Sequence, residues 1–161
     1  MIALLKGVIE HIEGSEILLD CRGVGYIITL GVGHLQALDP MIGDNVKMVI
    51  YQLVKETELT LLGFMSFDER EIFKLLLTVK GVGAKAAMKI VDSIPADEIV
   101  DAIKKRKIMN FTNVKGIGKK TAERIIDALK NKKKILKWVD KWKNSNSNRV
   151  VSVKTPRKQI F

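Results

Sequence analysis

Two stretches of this 161-residue chain combine glycines with lysines in a pattern suited to holding an anion. Val79-Lys80-Gly81-Val82-Gly83-Ala84-Lys85-Ala86-Ala87-Met88-Lys89-Ile90 aligns without gaps to Val114-Lys115-Gly116-Ile117-Gly118-Lys119-Lys120-Thr121-Ala122-Glu123-Arg124-Ile125, 35 residues on and with seven of twelve positions identical. Periods of this length mark repeated supersecondary units. Each copy reads as helix, Gly-x-Gly hairpin, helix. The glycines allow positive φ and close backbone approach to a ligand, while Val82 or Ile117 plugs the hairpin into the core beneath it. Free amides of the hairpin and of the following helix N-terminus then point outward together, an anion site that the helix dipole favours. Ala87 and Ala122 let the two helices of each unit pack closely. Lys85, Lys119 and Lys120 place mobile positive charge beside the site, and Lys80, Lys115, Thr121 and Arg124 complete the candidate set. Such a unit holds a phosphate without reading a base, so it binds DNA irrespective of sequence.

The competing reading of each Gly-x-Gly is a plain turn between packed helices. Two copies, each followed by lysine near a helix start, favour phosphate-backbone binding. A nucleotide P-loop fits poorly, because Gly118-Lys119-Lys120-Thr121 lacks the Gly-Lys-[Ser/Thr] order and no strand precedes it. Neither copy has the six-residue dinucleotide pattern, and no cofactor is expected.

Charge is distributed in keeping with this. The net charge is +10, but residues 1–70 carry five Lys/Arg against ten Asp/Glu, residues 71–129 twelve against seven, and residues 130–161 eleven against one. An acidic first part, a basic middle and a very basic end suit one nucleic-acid face and one that repels it. Charge alone does not separate DNA from RNA or an acidic membrane. The opening Met1-Ile2-Ala3-Leu4-Leu5-Lys6 is too short and too soon charged for a secretory signal, and no apolar run approaches the roughly 20 residues that span a bilayer. An intracellular, soluble protein without membrane partners is expected. Cys21 lies in an apolar strand-like run, which suits an inert core thiol better than a reactive one. His11 and His34 lack neighbours at ligand spacing, so no metal site is expected.

The elements that position the repeat fall into two parts, giving an α+β chain. Residues 1–64 alternate short β-rich runs with turn residues: Ala3 to Ile12, Glu16 to Cys21, Tyr26 to Leu30, Val46 to Leu53 and Thr60 to Phe64. A Gly-rich connection with Asp39-Pro40 separates the third from the fourth. Five short strands in this length predict a small barrel, of which the OB-fold is the commonest five-stranded type. Lys55-Glu56-Thr57-Glu58 forms a polar hairpin tip. From Ser66, Ser66-Phe67-Asp68-Glu69 matches a capping box, and helical spacing continues from Phe73, Leu76 and Leu77 to Lys80-Gly81. Pro95 opens another helix, with Asp97, Glu98 and Asp101 suited to its positive end. Helices run to about Lys134, making residues 65–134 a tandem helix-hairpin-helix domain. Residues 135–161 form a basic tail, partly helical around Ile135, Trp138, Val139 and Trp142, then flexible from Asn144-Ser145-Asn146-Ser147-Asn148.

Residues 1 to about 130 resemble the RuvA family. The resemblance lies in Met1-Ile2-Ala3-Leu4-Leu5-Lys6-Gly7, Gly23-Val24-Gly25-Tyr26, Leu62-Gly63-Phe64, Asp68-Glu69-Arg70, Phe73-Lys74 and both hairpins, above all Gly116-Ile117-Gly118-Lys119-Lys120-Thr121-Ala122-Glu123-Arg124. It implies an OB-fold domain, two helix-hairpin-helix motifs, and a homotetramer, possibly an octamer, that holds an open four-way (Holliday) junction. A hexameric ATPase, RuvB, would pump the DNA through during recombination, repair and the SOS response in the bacterial cytoplasm. The resemblance also implies an acidic pin on the hairpin between the fourth and fifth strands. Glu56 falls on its first acidic position, Thr57 occupies the second, and Glu58 follows.

The family's third, motor-binding helical domain is not recognisable in residues 135–161. Three explanations stand open: a piece of a longer protein, a degenerate domain, or a different coupling to the motor. The lysines beside Trp138 and Trp142 leave three readings of the tail: extra DNA contact, an amphipathic partner or membrane helix, or a helix extension whose tryptophans cap the core. The leading functional expectation is a non-catalytic junction-binding subunit. A glycosylase or nuclease is the second, and Asp92, Asp97, Glu98 and Asp101 read as helix-surface acids, not a converging catalytic set. A general DNA or RNA scaffold without motor coupling is the third.

Overall fold

A computed structural model describes the backbone of residues 1–144 and the side chains of residues 1–138. The described chain divides into two units, residues 1–67 and 68–144.

The first unit is a closed five-stranded barrel. β1 (Leu4–Glu13), β2 (Glu16–Cys21), β3 (Val24–Thr29), β4 (Asn45–Val54) and β5 (Leu59–Phe64) pair in the order β1-β2-β3-β5-β4, and β4 returns to β1. All pairs are antiparallel except the short parallel pairing of β3 with β5, Ile28 opposite Leu61 and Thr29 opposite Leu62. Because side chains alternate across a strand, Ile17 and Leu19 of β2 and Val46, Met48 and Ile50 of β4 all point into one core. Leu18, between the first two, lies on the exposed face. This is the OB-type barrel expected from the spacing of the strand runs.

One element departs from expectation. The Gly-rich connection contains a helix, α1 (Val32–Leu38), followed by a 3-10 turn at Asp39–Met41. Gly33 weakens its intrinsic propensity, but Leu35 and Leu38, three residues apart, are both buried in the barrel core. Burial of that face outweighs the local signal.

The second unit is helical: α2 (Phe67–Leu77), α3 (Ala84–Ser93), α4 (Ala96–Lys104), α5 (Ile108–Thr112), α6 (Lys119–Leu129) and α7 (Lys133–Asn144). Apolar residues at helical spacing face inward, as with Ile72, Phe73 and Leu76 in α2, Ala87, Ile90 and Val91 in α3, and Ala122, Ile125, Ile126 and Leu129 in α6. α4 lies at the centre, packed on α5, α6 and α7. Pro95 caps α4, and Asp97 and Glu98 stand in its first turn. Asp101 does not serve that end of the helix. It lies past the first turn and pairs instead with Lys105 and Lys107, each at 2.8 Å.

The helical spacing of residues 135–144 forms a continuous helix, α7, that begins at Lys133. Ile135 is fully buried and Trp138 is 8% exposed, and Lys134 donates to the Glu71 carboxylate of α2 at 3.1 Å. For Trp138, capping the core is what the structure shows. Trp142 and the Asn/Ser-rich segment with the basic stretch after it lie outside the described side chains and residues.

Candidate nucleic-acid interface

The two Gly-x-Gly segments fold into the same turn. After α2, the Val79 amide donates to the Leu76 carbonyl and the Val82 amide to the Val79 carbonyl, both at 3.1 Å. After α5, the Val114 amide donates to the Phe111 carbonyl and the Ile117 amide to the Val114 carbonyl, both at 3.0 Å. Val82 and Ile117 are each 6% exposed, the plug expected beneath the hairpin. Ala87 and Ala122 are fully buried, where only a small side chain lets the helices approach.

The paired glycines divide their work. Gly81 and Gly116 have φ of 86° and 92°, a conformation that costs any residue with a Cβ. Gly83 and Gly118 are extended N-cap residues, with φ of −91° and −86° and no side-chain cap bond. Any residue adopts that backbone, and among the described residues no atom beyond the adjoining ones lies within 4 Å of where a Cβ would stand on either one. Among the described residues nothing supplies a steric or conformational reason for glycine at 83 or 118; a ligand brought close to the backbone would.

Above these positions the helix starts are unsatisfied. The first-turn amides of a helix have no carbonyl one turn back, and the first to bond back are Ala87, to the Gly83 carbonyl, and Ala122, to the Gly118 carbonyl, both at 3.0 Å. Each hairpin therefore presents a cluster of outward amides at the positive end of a helix dipole.

Several cations surround them. Lys80, Lys85, Lys115, Lys119, Lys120 and Arg124 are all exposed, and none has an ion-pair partner among the described residues. Elsewhere Lys74, Lys105, Arg106, Lys107 and Lys134 all pair with Glu71, Asp101 or Asp127. Thr121 is half-buried in the first turn of α6.

Arg124 stands apart from the rest of the predicted set. It belongs to the second copy, but its guanidinium lies 3.0 Å from the point where a Cβ on Gly81 would be, over the first hairpin. The corresponding residue of the first copy, Lys89, has its Nζ 3.8 Å from the same point on Gly116. Lys89 was not in the predicted set. The repeat alignment carried the signal, since positions 89 and 124 correspond and both are basic.

Of the acids weighed as catalytic candidates, Asp97 and Glu98 stand in the first turn of α4 and Asp101 is paired with two lysines. Hydrogen bonds from Lys105 first, then Lys107, lower the Asp101 pKa. No group of three His, Cys, Asp or Glu side chains among the described residues is placed to hold a metal ion. Cys21 is half-buried, and burial first, then the Asp20 charge, raises its thiol pKa.

In the barrel unit, Glu56 and Glu58 both lie exposed at the tip of the β4–β5 hairpin, closed by the Lys55 amide donating to the Glu58 carbonyl at 2.8 Å. They are not equivalent. The Thr60 hydroxyl donates to the Glu58 carboxylate at 3.2 Å, tying it back along its strand, whereas no such tie holds Glu56 among the described residues.

Family comparisons follow the same division. Residues 1–63 match the model of the RuvA N terminal domain, and residues 73–132 match that of the SAM-like helix-hairpin-helix tandem. Among curated proteins, the chain is 42% identical over 106 residues to the Holliday junction branch migration complex subunit RuvA of Afipia carboxidovorans, covering 66% of this chain and 51% of that one. It is 36% identical over 114 residues to the protein of the same name from Solibacter usitatus, covering 71% and 57%. The chain thus spans about half the length of the curated relatives it matches.

Proposed function

Because this chain belongs to the RuvA family, we propose that it is a non-catalytic DNA-binding subunit that recognises four-way junctions and holds them open for branch migration. Its strongest support is the repeated hairpin, in which a glycine with no internal reason to be glycine, outward amides and unpaired lysines recur 35 residues apart. Each hairpin grips one stretch of phosphate backbone without reading bases. Two sites fixed within one unit hold a duplex arm in a set orientation.

Backbone grip does not by itself distinguish a junction from linear duplex. In this reading, selectivity comes from assembly of four copies, possibly eight, around the crossover, each contributing the β4–β5 hairpin. Glu56, free at the tip, forms the repelling pin that keeps strands apart, with Glu58 in a lesser role because Thr60 holds its carboxylate. A hexameric ATPase of the RuvB type supplies the motor, and the setting is the bacterial cytoplasm during recombination and repair.

The test is a competition between a synthetic four-way junction and linear duplex of equal length, at a salt concentration that suppresses non-specific binding. The junction should win clearly, and Glu56→Gln should alter junction opening or migration more than affinity. Equal affinity would instead indicate a general backbone-binding scaffold.

A further inference from the structure

We propose that Lys89 is a phosphate-binding residue of the second hairpin, reaching across from the first copy just as Arg124 reaches the first hairpin from the second. The proposal rests on the hairpins' holding phosphate. Its ground is the reciprocity: Arg124 lies over Gly81 and Lys89 beside Gly116. Residue i touching j′ while i′ touches j is the signature of a local two-fold relation, and a head-to-tail stacking of the two copies would yield only one of these contacts. The two phosphate sites are then composite, each built of one copy's hairpin amides and the other copy's cation.

Electrostatics point the same way. Lys89 is exposed and has no ion-pair partner among the described residues, yet its ammonium stands beside the turn that leads into α6, near the positive end of that helix. Like-signed charges at such a place repel. An anion between them makes the same arrangement favourable, and a DNA phosphate is the anion the hairpin reading supplies.

The experiment measures binding of the full chain to four-way junction and to duplex across a salt series, for Lys89→Gln, Lys85→Gln, Lys120→Gln and the double variants pairing Lys89→Gln with each of the others. Loss of one phosphate contact should weaken Lys89→Gln by about eightfold near 0.1 M salt and reduce the log–log salt slope by about 0.9, both per chain engaged. Lys89→Arg should bind as the unaltered chain. Losses should fall further short of multiplying with Lys120→Gln, at the same site, than with Lys85→Gln, at the other hairpin though one turn away on α3. The proposal is overturned if Lys89→Gln binds normally while Lys85→Gln and Lys120→Gln are weakened, a result that leaves the hairpin reading standing. It is equally overturned if Lys89 couples to Lys85 and not to Lys120. Normal binding by all three single variants removes both.

Discussion

The Arg124 guanidinium lies 3.0 Å from where a Cβ on Gly81 would begin. Gly81 therefore faces two demands, a left-handed backbone and space for a cation from the other copy, whereas at Gly116 the nearest such atom, the Lys89 Nζ, is at 3.8 Å and leaves room. Gly81→Ala and Gly116→Ala should each lose about 1–2 kcal/mol of stability from the positive φ alone. Only Gly81→Ala should also displace its cation, so it should weaken DNA binding more than Gly116→Ala does. Urea unfolding and anisotropy titrations on the same samples check both parts.

Gly83 and Gly118 call for a different substitution. Serine suits an extended N-cap and would turn its hydroxyl onto a first-turn amide, giving equal or slightly higher stability, by roughly a few tenths of a kcal/mol. That same amide is the one a phosphate would use. Gly83→Ser and Gly118→Ser should therefore keep or raise the melting temperature while weakening binding to every DNA shape. Unchanged binding would mean that the amides are not the anion site.

Trp138 separates the readings of the basic tail. As a core cap at 8% exposure, its replacement by alanine should cost about 3–5 kcal/mol and leave the salt slope of DNA binding unchanged. A DNA-contacting tryptophan would show the reverse, little loss of stability and weakened binding.

Glu71 predicts a pH dependence. Burial pushes its pKa up, but hydrogen bonds from Lys134 and Lys74 and their charges outweigh this and hold the carboxyl below its ordinary value of 4.5. A depressed folded-state pKa stabilises the fold above the unfolded-state value, and that stabilisation is lost as pH falls through the folded-state value. Melting temperatures measured downward from pH 5 should fall less steeply for Glu71→Gln than for the unaltered chain. Since Lys134 stands in the first turn of α7, the loss should appear first in protection of that helix.

Much of this was legible in the residues. The alternation of Ile17, Leu18 and Leu19, or of Val46, Met48 and Ile50, announces strands with one buried face, and the hairpin repeat announces itself by identity. Even Gly7, part of the family-like opening, has a plain physical reason: a Cβ there would run into the Asp20 carbonyl on the neighbouring strand. Less legible were features decided by tertiary burial. α1 hid behind Gly33 and Pro40 because the burial of Leu35 and Leu38 is not a local property. Asp101 read as a helix-start acid because the two lysines that claim it are visible only once the chain turns at the end of α4. The distinct roles of the paired glycines and the exchange of cations between copies depend on φ and on a two-fold relation, which identity alone does not encode.

The central claim is that the hairpins bind phosphate, and the slope of affinity against salt tests it most directly. Replacing Lys85, Lys119 and Lys120 together with glutamine should flatten the log–log slope by about 2.7 per chain engaged, equally for unrelated DNA sequences, with the melting temperature unchanged. A triple variant that folds and retains the full slope would contradict the account.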